Sequence, residues 1–411
     1  MQNYLNNIDI ISIMKKRICF IILLLFVLVG CTESPGVEDP PSKDIADVVQ
    51  FPEQEGVIDS PEANESDPIV KEEILDGAKV QHEQDTAQKL STGCSRTFSP
   101  TLSTGPHYDG PLFDAHFHMP DLIDVSKIGG HGEGQDADHG SDPITDHVLR
   151  KDVALDKILC NFDKEKVKGA IGFVVGAEQL LEETLEIAES MKEESSGKIN
   201  LFLMPVMFST EGLESIEKSN KGLFKGYGEM TFYDQDYANT PPDSPVVMET
   251  YKVAEKHNLI VMIHPGRNQK SNIGNVLQKN PKVNFLLHGF EIENDIVDLM
   301  DKYPNVYFSI DSAVLYAMQG LFMGSKEQFV SRFEQEFDIN MNRAVNKWKS
   351  AVEKHPDRFM WGSDRGLPWH YDEDVSILFE EFGRAFIGKL DPSVQEKFAY
   401  ENAEELIATV S

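Results

Sequence analysis

The chain has 411 residues, of which 40% are hydrophobic, so it is long enough to bury one large core or two ordinary ones. Its formal net charge of -31 at pH 7 argues against a nucleic-acid-binding surface, because phosphates would be repelled over most of the molecule. Much of the acidity lies before residue 96, so the rest is less extreme. We therefore expect a small-molecule substrate and no nucleic-acid partner.

The amino terminus has the pattern of an export signal. Three basic residues at 15–17 precede an apolar run at 18–29, which is too short to span a bilayer comfortably. The run closes on Leu-Val-Gly-Cys at 28–31, which resembles the lipobox of bacterial lipoproteins, whose cysteine is diacylated and becomes the new amino terminus. The resemblance implies a lipoprotein signal peptide over residues 1–30 and lipidation of Cys31.

An acyl chain on Cys31 would hold the protein at a membrane without any segment crossing it. Thr32 rather than Asp follows the anchor, which resembles an outer-membrane destination in a Gram-negative host. We therefore expect a lipid-anchored protein of the bacterial cell envelope with its catalytic domain outside the cytoplasm. The alternative is a cleaved secretory signal with an incidental cysteine. The sequence leaves open whether translation starts at Met1 or Met14.

Residues 31–98 are predicted to form a disordered tether. The segment is rich in Glu, Asp, Pro and Ser, so it cannot bury enough apolar surface to offset its chain entropy, and its like charges keep it extended. Once Cys19 is removed with the signal and Cys31 is acylated, only Cys94 and Cys160 remain. In an exported protein these two can form a disulfide or stay as independent thiols, and no spacing rule decides between the two.

Residues 99–411 are predicted to fold as one (β/α)8 TIM barrel. Short apolar runs alternate with longer helical stretches, which is the sequence form of a parallel sheet built from strand and helix units. Predicted helices include 178–193, 244–257, 293–302 and 326–354. The predicted strands are Leu112–His118, Val167–Val175, Ile199–Met207, Leu223–Glu229, Leu259–His264, Val283–His288, Asn305–Asp311 and Phe359–Asp364.

Two long insertions interrupt this rhythm. Residues 119–150 follow strand one and are too rich in glycine for a packed element, so they are predicted to cover the active site. Residues 321–354 follow strand seven and are predicted to be helical. Their packing residues are expected to be Phe329, Phe333, Phe337 and Trp348. Lys225 lies four residues before Glu229 and indicates either a lysine deep in the barrel or a strand that begins later.

Five strands carry polar side chains at or near their carboxyl ends, where barrel active sites are built. His116 and His118 are two residues apart on a strand, so they project from the same face and can bind one ion. Each signature alone has an ordinary structural explanation, but the set together predicts a metal site. Its ligands are expected to be His116, His118, Glu229, His264, His288 and Asp364.

These residues resemble the amidohydrolase superfamily, whose members are metal-dependent hydrolases and related lyases on a TIM barrel. The family pattern is His-x-His on strand one, a carboxylate or modified lysine on strand four, histidines on strands five and six, and an aspartate on strand eight. The endings of strands six to eight look most like the amidohydrolase-related branch, whereas Glu229 looks more like the TatD-type branch. The resemblance covers roughly residues 112–411.

The resemblance implies one or two divalent metal ions; the ligand types favour zinc, with manganese or iron(II) as alternatives. His116, His118 and Asp364 would hold the first ion. His264 and His288 would bind a second ion bridged by Glu229, or serve the first ion and the substrate. Asp364 would be the catalytic residue, taking a proton from the attacking water and passing it to the leaving group.

Arg267, Arg365 and Trp369 are candidate substrate-binding residues, although a loop arginine is more often simply solvated. Asp311 ends predicted strand seven and is interpreted as a cap for the next helix. The leading hypothesis is a membrane-anchored, metal-dependent hydrolase of a small ester, lactone, amide or phosphoester. Its alternatives are a metal-dependent decarboxylase of a carboxylated small molecule and a non-catalytic ligand-binding lipoprotein. The sequence gives no indication of oligomeric state.

Overall fold

The structure is a computed structural model that describes residues 94–97, 105–119, 153–205, 208–233, 240–311 and 325–410. The predicted signal peptide, Cys31 and nearly all of the tether lie outside the described residues. The same is true of residues 120–150 of the first insertion and residues 321–324 of the second. The expectations for these segments therefore stay predictions.

Eight parallel strands are hydrogen-bonded to one another in chain order, from β1 to β8. The short apolar runs are buried along their length, as a parallel sheet covered by helices requires. The structure confirms the predicted (β/α)8 TIM barrel. The strands are β1 (Leu112–Phe117), β2 (Val167–Val174), β3 (Ile199–Leu203), β4 (Gly226–Thr231), β5 (Ile260–His264), β6 (Phe285–Leu287), β7 (Val306–Ser309) and β8 (Phe359–Met360).

Helices connect the strands, and further short helices follow β8. Single 3-10 turns at Glu178–Leu180 and Pro368–Tyr371 and a π-helical turn at Lys397–Glu401 lie among them. The helices are α1 (Leu155–Lys164), α2 (Leu181–Glu194), α3 (Thr210–Ser219), α4 (Pro245–His257), α5 (Lys270–Lys279), α6 (Ile296–Lys302), α7 (Lys326–Lys354), α8 (Glu373–Ile387), α9 (Pro392–Glu396) and α10 (Asn402–Ala408). Within the described part of the chain, none of them has the length and apolar character needed to cross a membrane.

The barrel closes through hydrogen bonds between β1 and the segment after β8. The Ala115 amide donates to the Trp361 carbonyl at 3.0 Å, and the His118 amide donates to the Arg365 carbonyl at 2.8 Å. Phe117 and Arg365 form a parallel bridge. Closure therefore brings the carboxyl end of β1 beside the residues that follow β8.

Several smaller expectations can be compared with the structure. β4 begins at Gly226, so Lys225 precedes the strand, and its Nζ donates to the Val410 carbonyl. The four aromatic side chains of α7 that were expected to pack in the core are buried.

Cys94 and Cys160 form a disulfide, with Cα atoms 5.4 Å apart. This pairing decides between a disulfide and two independent thiols, and it links residues 94–97 covalently to α1.

Candidate metal centre

All six predicted metal ligands lie at the carboxyl end of the barrel. Parallel strands end on one side of the sheet, so side chains from distant parts of the sequence meet there. The structure brings the six together in two groups of three. Their positions are His116 in β1, His118 directly after β1, Glu229 in β4, His264 at the end of β5, His288 directly after β6 and Asp364 beyond the end of β8.

The first triad consists of His116, His118 and Asp364. Each residue offers one ligand atom, and the three atoms lie within 4.8 Å of one another. Oδ1 of Asp364 is 3.1 Å from Nε2 of His118 and 3.4 Å from Nε2 of His116. His116 is fully buried, whereas the side chains of His118 and Asp364 are 26% and 15% exposed. The solvent-accessible part of the first triad is therefore formed by His118 and Asp364.

The second triad consists of Glu229, His264 and His288, whose ligand atoms also lie within 4.8 Å of one another. Oε1 of Glu229 is 3.0 Å from Nδ1 of His264 and 2.8 Å from Nε2 of His288. All three residues are buried. The second triad is thus the deeper of the two.

Glu229 lies between the two triads and turns one carboxylate oxygen to each. While Oε1 contacts the second triad, Oε2 is 3.5 Å from Nε2 of His118 and 3.8 Å from Nε2 of His116. Burial alone would raise the pKa of Glu229, but the charge of His288 and hydrogen bonds from the histidines hold that pKa well below its usual value. Glu229 is therefore an ionised carboxylate placed to contact both triads.

His264 is held on both ring nitrogens by carboxylates. Nδ1 contacts Glu229 as described, and Nε2 is 3.0 Å from Oε2 of Glu291, which follows β6. Burial would lower the pKa of His264, yet the hydrogen bonds to Glu229 and Glu291 raise it to about 9. Glu291 was not among the site residues predicted from the sequence. The only feature of the sequence that connects it with the site is its position three residues after His288.

Asp311 is a second site residue that the sequence analysis did not assign to the site. Its Oδ2 accepts a hydrogen bond from Nδ1 of His116 at 2.7 Å and lies 3.3 Å from Nδ1 of His288. Burial would raise the pKa of Asp311, but the neighbouring His116 and His288 keep it below its usual value. Residues 312–320 lie outside the described chain, so the proposed helix cap is untested. The signal available in the sequence was the position of Asp311 at the end of the predicted strand 305–311; in the structure it lies two residues after β7.

Three ring nitrogens in the site are buried without a hydrogen-bond partner among the described residues: Nε2 of His116 and both nitrogens of His288. The 2.8 Å contact between His288 and Glu229 lacks hydrogen-bond geometry. A buried polar atom left unpaired costs about 1–3 kcal/mol, and a divalent cation would satisfy these nitrogens together with the nearby carboxylates. Imidazole nitrogens and carboxylate oxygens are the ligands that zinc takes in hydrolases, so the residues present fit a metal.

Asp364 is positioned by a clamp from β1. The side chain of Asp114 accepts hydrogen bonds from the amide and hydroxyl of Ser363 at 2.8 and 2.6 Å. The Asp364 amide donates to the His116 carbonyl at 2.7 Å. Asp364 itself has a left-handed backbone, with φ of 52°, which aspartate tolerates better than most residues. The clamp therefore fixes Asp364 against the strand that carries both histidines of the first triad.

The three candidate substrate-binding residues lie in different surroundings. Arg267 is exposed on the loop after β5. Arg365 is buried, with only 1% of its side chain exposed, and pairs with Glu165 at 2.7 Å, so its guanidinium joins the β8 loop to the end of α1. This placement argues against the prediction that Arg365 binds substrate, because its charge is already paired with that of Glu165. Trp369 is half-buried and packs on Phe329 of α7.

Comparison with known proteins gives one family and several similar folds. The sequence profile of a family described as amidohydrolase matches residues 113–408. That segment contains all six predicted ligands together with Asp311 and Glu291. No curated protein matches the chain.

Among solved structures, the fold is similar to that of an amidohydrolase from Burkholderia multivorans with bound zinc. The two sequences are 13% identical, and the TM-score is 0.47 over 73% of this chain and 99% of the other chain. A probable 2-pyrone-4,6-dicarboxylic acid hydrolase from Acinetobacter baumannii with bound citric acid is 12% identical, with a TM-score of 0.47 over 73% and 100%. A dihydroxybenzoic acid decarboxylase from Polaromonas with bound manganese and an inhibitor is 12% identical, with a TM-score of 0.43 over 73% and 97%.

Proposed function

We propose that this chain, which belongs to the amidohydrolase family and is an enzyme of that superfamily, is a metal-dependent hydrolase. Its substrate would be a small ester, lactone, amide or phosphoester. The observation that carries the proposal is the meeting of the two triads across Glu229, with ring nitrogens of His116 and His288 that are buried and have no hydrogen-bond partner within the described part of the chain. A non-catalytic binding module would be expected to lack part of the ligand set, whereas all six residues are together.

A bound divalent ion supplies positive charge that lowers the pKa of a coordinated water from about 15.7 to about 7 and polarises the scissile carbonyl or phosphoryl group. In our proposal His116, His118 and Asp364 would hold that ion. Glu229, His264 and His288 would hold a second ion, or would serve the first ion and the substrate. The buried positions of four of these residues limit their movement, so the ligand atoms stay close without reorganisation during the reaction.

Asp364 is proposed to carry the proton. Its carboxylate is held at 3.1 Å from Nε2 of His118 and is partly exposed, so it can be reached by both water and substrate. One carboxylate oxygen would take the proton as the water attacks and then deliver it to the leaving group, which balances the proton over the cycle.

The test uses the full chain, stripped of metal with a chelator and reloaded with zinc, against a panel of small esters, lactones, amides and phosphoesters. The hydrolysis products are quantified by liquid chromatography, because amide hydrolysis near neutral pH releases almost no net acid. Hydrolysis of at least one class that disappears on stripping and returns with zinc supports the proposal. Release of carbon dioxide from carboxylated aromatic acids, without hydrolysis of any panel member, would replace it with decarboxylation.

We also propose that the enzyme is anchored in the bacterial cell envelope through an acylated Cys31, with zinc as the resident metal. The disulfide between Cys94 and Cys160 supports export, because disulfides persist in oxidising compartments. Cys31→Ser should move the protein from the membrane fraction to the soluble fraction and abolish incorporation of labelled palmitate. Unchanged membrane retention in this variant would contradict the anchor.

A further inference from the structure

Two exposed aromatic residues follow the strands on either side of β5. Tyr233 lies two residues after β4, and Phe290 lies three residues after β6. β4 and β6 are the neighbours of β5, which ends at His264 of the second triad. Tyr233 is 44% exposed and Phe290 is 38% exposed. Among the phenylalanine, tyrosine and tryptophan residues that the structure describes, only these two are exposed. The exposed aromatic residues therefore lie at the carboxyl end of the barrel, beside the second triad.

Both residues are held at the same histidine. The ring of Tyr233 packs on the ring of His264, with centroids 4.2 Å apart and planes inclined at 54°. Phe290 stands between two residues that contact His264. Oε2 of Glu291 is 3.0 Å from Nε2 of His264, and a Cβ added at Gly289 would lie only 2.3 Å from that nitrogen. The contact with Tyr233 and the turn that carries Phe290 thus place an aromatic residue on each side of one predicted ligand.

This arrangement differs from ordinary surface apolarity. The other exposed large apolar residues are Val246 and Ile339, which lie on separate helices, α4 and α7. Single apolar residues of that kind are common on protein surfaces, whereas apolar surface gathered beside convergent polar groups is typical of a ligand site. A flat ring is the group that Tyr233 and Phe290 bind best, because offset or edge-to-face ring contacts add to the gain from burying apolar surface.

We propose that Tyr233 and Phe290 are specificity-determining residues that contact an aromatic ring of the substrate. The inference rests on the proposed function, because it names the substrate class of the same site: a small molecule that carries an aromatic group next to the bond that is hydrolysed. The contact involves the ring and not that bond, so it contributes binding that the substrate and the transition state share. Such binding lowers KM and leaves kcat nearly unchanged.

The test compares two substrates of the class that the zinc-loaded full chain hydrolyses. For esters the pair is benzyl acetate and ethyl acetate, which share an acyl group and release alcohols of similar acidity. Wild type should prefer benzyl acetate by about 10-fold or more in kcat/KM, the size expected for a ring contact. Tyr233→Ala and Phe290→Ala should each reduce this preference severalfold, through a higher KM for benzyl acetate.

Two further variants separate the ring contact from other effects. Tyr233→Phe keeps the ring and removes the hydroxyl, so it should retain the preference for benzyl acetate. Ile339→Ala is the matched control, because Ile339 is an apolar side chain 55% exposed on α7, away from the strand ends. Its preference should stay at the wild-type value. Loss of the preference in Tyr233→Phe would assign it to the hydroxyl and overturn the role of the ring.

A second readout needs neither turnover nor a variant. Calorimetry measures the Kd of zinc-loaded wild type for benzylphosphonate and for ethylphosphonate, and the benzyl compound should bind about 10-fold more tightly. Equal affinities for the two phosphonates would overturn the inference, even if the alanine variants failed to fold. An unchanged preference in both alanine variants would also overturn it. In either case zinc-dependent hydrolysis would persist, whereas a protein that hydrolysed no member of the panel would overturn the proposed function instead.

Discussion

Glu217 gives the stability of the protein a pH dependence that can be worked out from the structure. Its side chain on α3 is 3% exposed, lines a cavity of about 270 Å³, and leaves Oε1 without a hydrogen-bond partner among the described residues. Burial raises the pKa of Glu217 from 4.5 to about 7, despite the favourable contact with Tyr227. The folded state therefore keeps this proton to higher pH than the unfolded state does.

The sign and size of the effect follow from that difference. Because the folded state binds more protons between pH 4.5 and pH 7, stability falls as pH rises through this window and then levels off. At about 1.4 kcal/mol for each pKa unit, the penalty is roughly 1 kcal/mol at pH 5 and roughly 3 kcal/mol at pH 8. Glu217→Gln has no proton to lose. The free energy of unfolding of this variant, relative to that of wild type, should therefore be about 2 kcal/mol more favourable at pH 8 than at pH 5.

The assay is urea denaturation at pH 5 and pH 8, followed by the fluorescence of the tryptophans, of which Trp348 and Trp361 are buried. The exposed Glu211→Gln is the matched control and should follow wild type at both pH values. If Glu217→Gln differed from wild type by the same free energy of unfolding at pH 5 and pH 8, burial could not be raising the pKa of Glu217.

Three further changes have definite expected outcomes. Asp364→Asn should lower kcat of the zinc-loaded enzyme by about 100-fold or more with an unchanged circular dichroism spectrum, and retained activity would remove Asp364 as the proton carrier. Glu165→Gln removes the negative charge that pairs with the buried Arg365, which keeps its hydrogen bond to Ser376, and should lower the free energy of unfolding by about 3 kcal/mol, so a wild-type thermal midpoint would contradict the importance of that ion pair. Cys160→Ser removes the disulfide to Cys94, 66 residues away in sequence, and should lower the free energy of unfolding by up to about 4 kcal/mol. A reductant should destabilise wild type but not this variant. Equal responses of the two proteins to the reductant would count against the disulfide.

The barrel was accessible from the sequence because its strands are short, apolar and regularly spaced. Strand positions were predicted well, but strand ends were not. The predicted strand 223–229 began before β4, which starts at Gly226 and runs to Thr231. The predicted strand 359–364 continued past β8, which ends at Met360. The residues after Met360 form backbone hydrogen bonds with β1, so they extend the sheet without forming a regular ladder. The local amino-acid composition does not show where the regular ladder ends.

The ligand set was also accessible, because ligand-type residues at strand ends follow a pattern along the chain. Its supporting contacts were not, because they depend on side-chain directions across the closed barrel. Asp311 bonds to His116 across 195 residues, and Glu291 bonds to His264 after a turn whose path is set by Gly289 against the His264 ring. Arg365 is next to a ligand in sequence, yet its guanidinium pairs with Glu165. Sequence adjacency alone cannot tell which side of the sheet a loop side chain takes.

The metal content of each chain decides whether the two triads bind metal. The full-length protein would be loaded with zinc, freed of loosely held metal by dialysis, and analysed by plasma mass spectrometry. We expect at least one zinc per chain, held by the first triad, with a second equivalent if the second triad also fills. A chain that retained no zinc, and no manganese or iron after the same treatment, would contradict a metal-dependent hydrolase at this site.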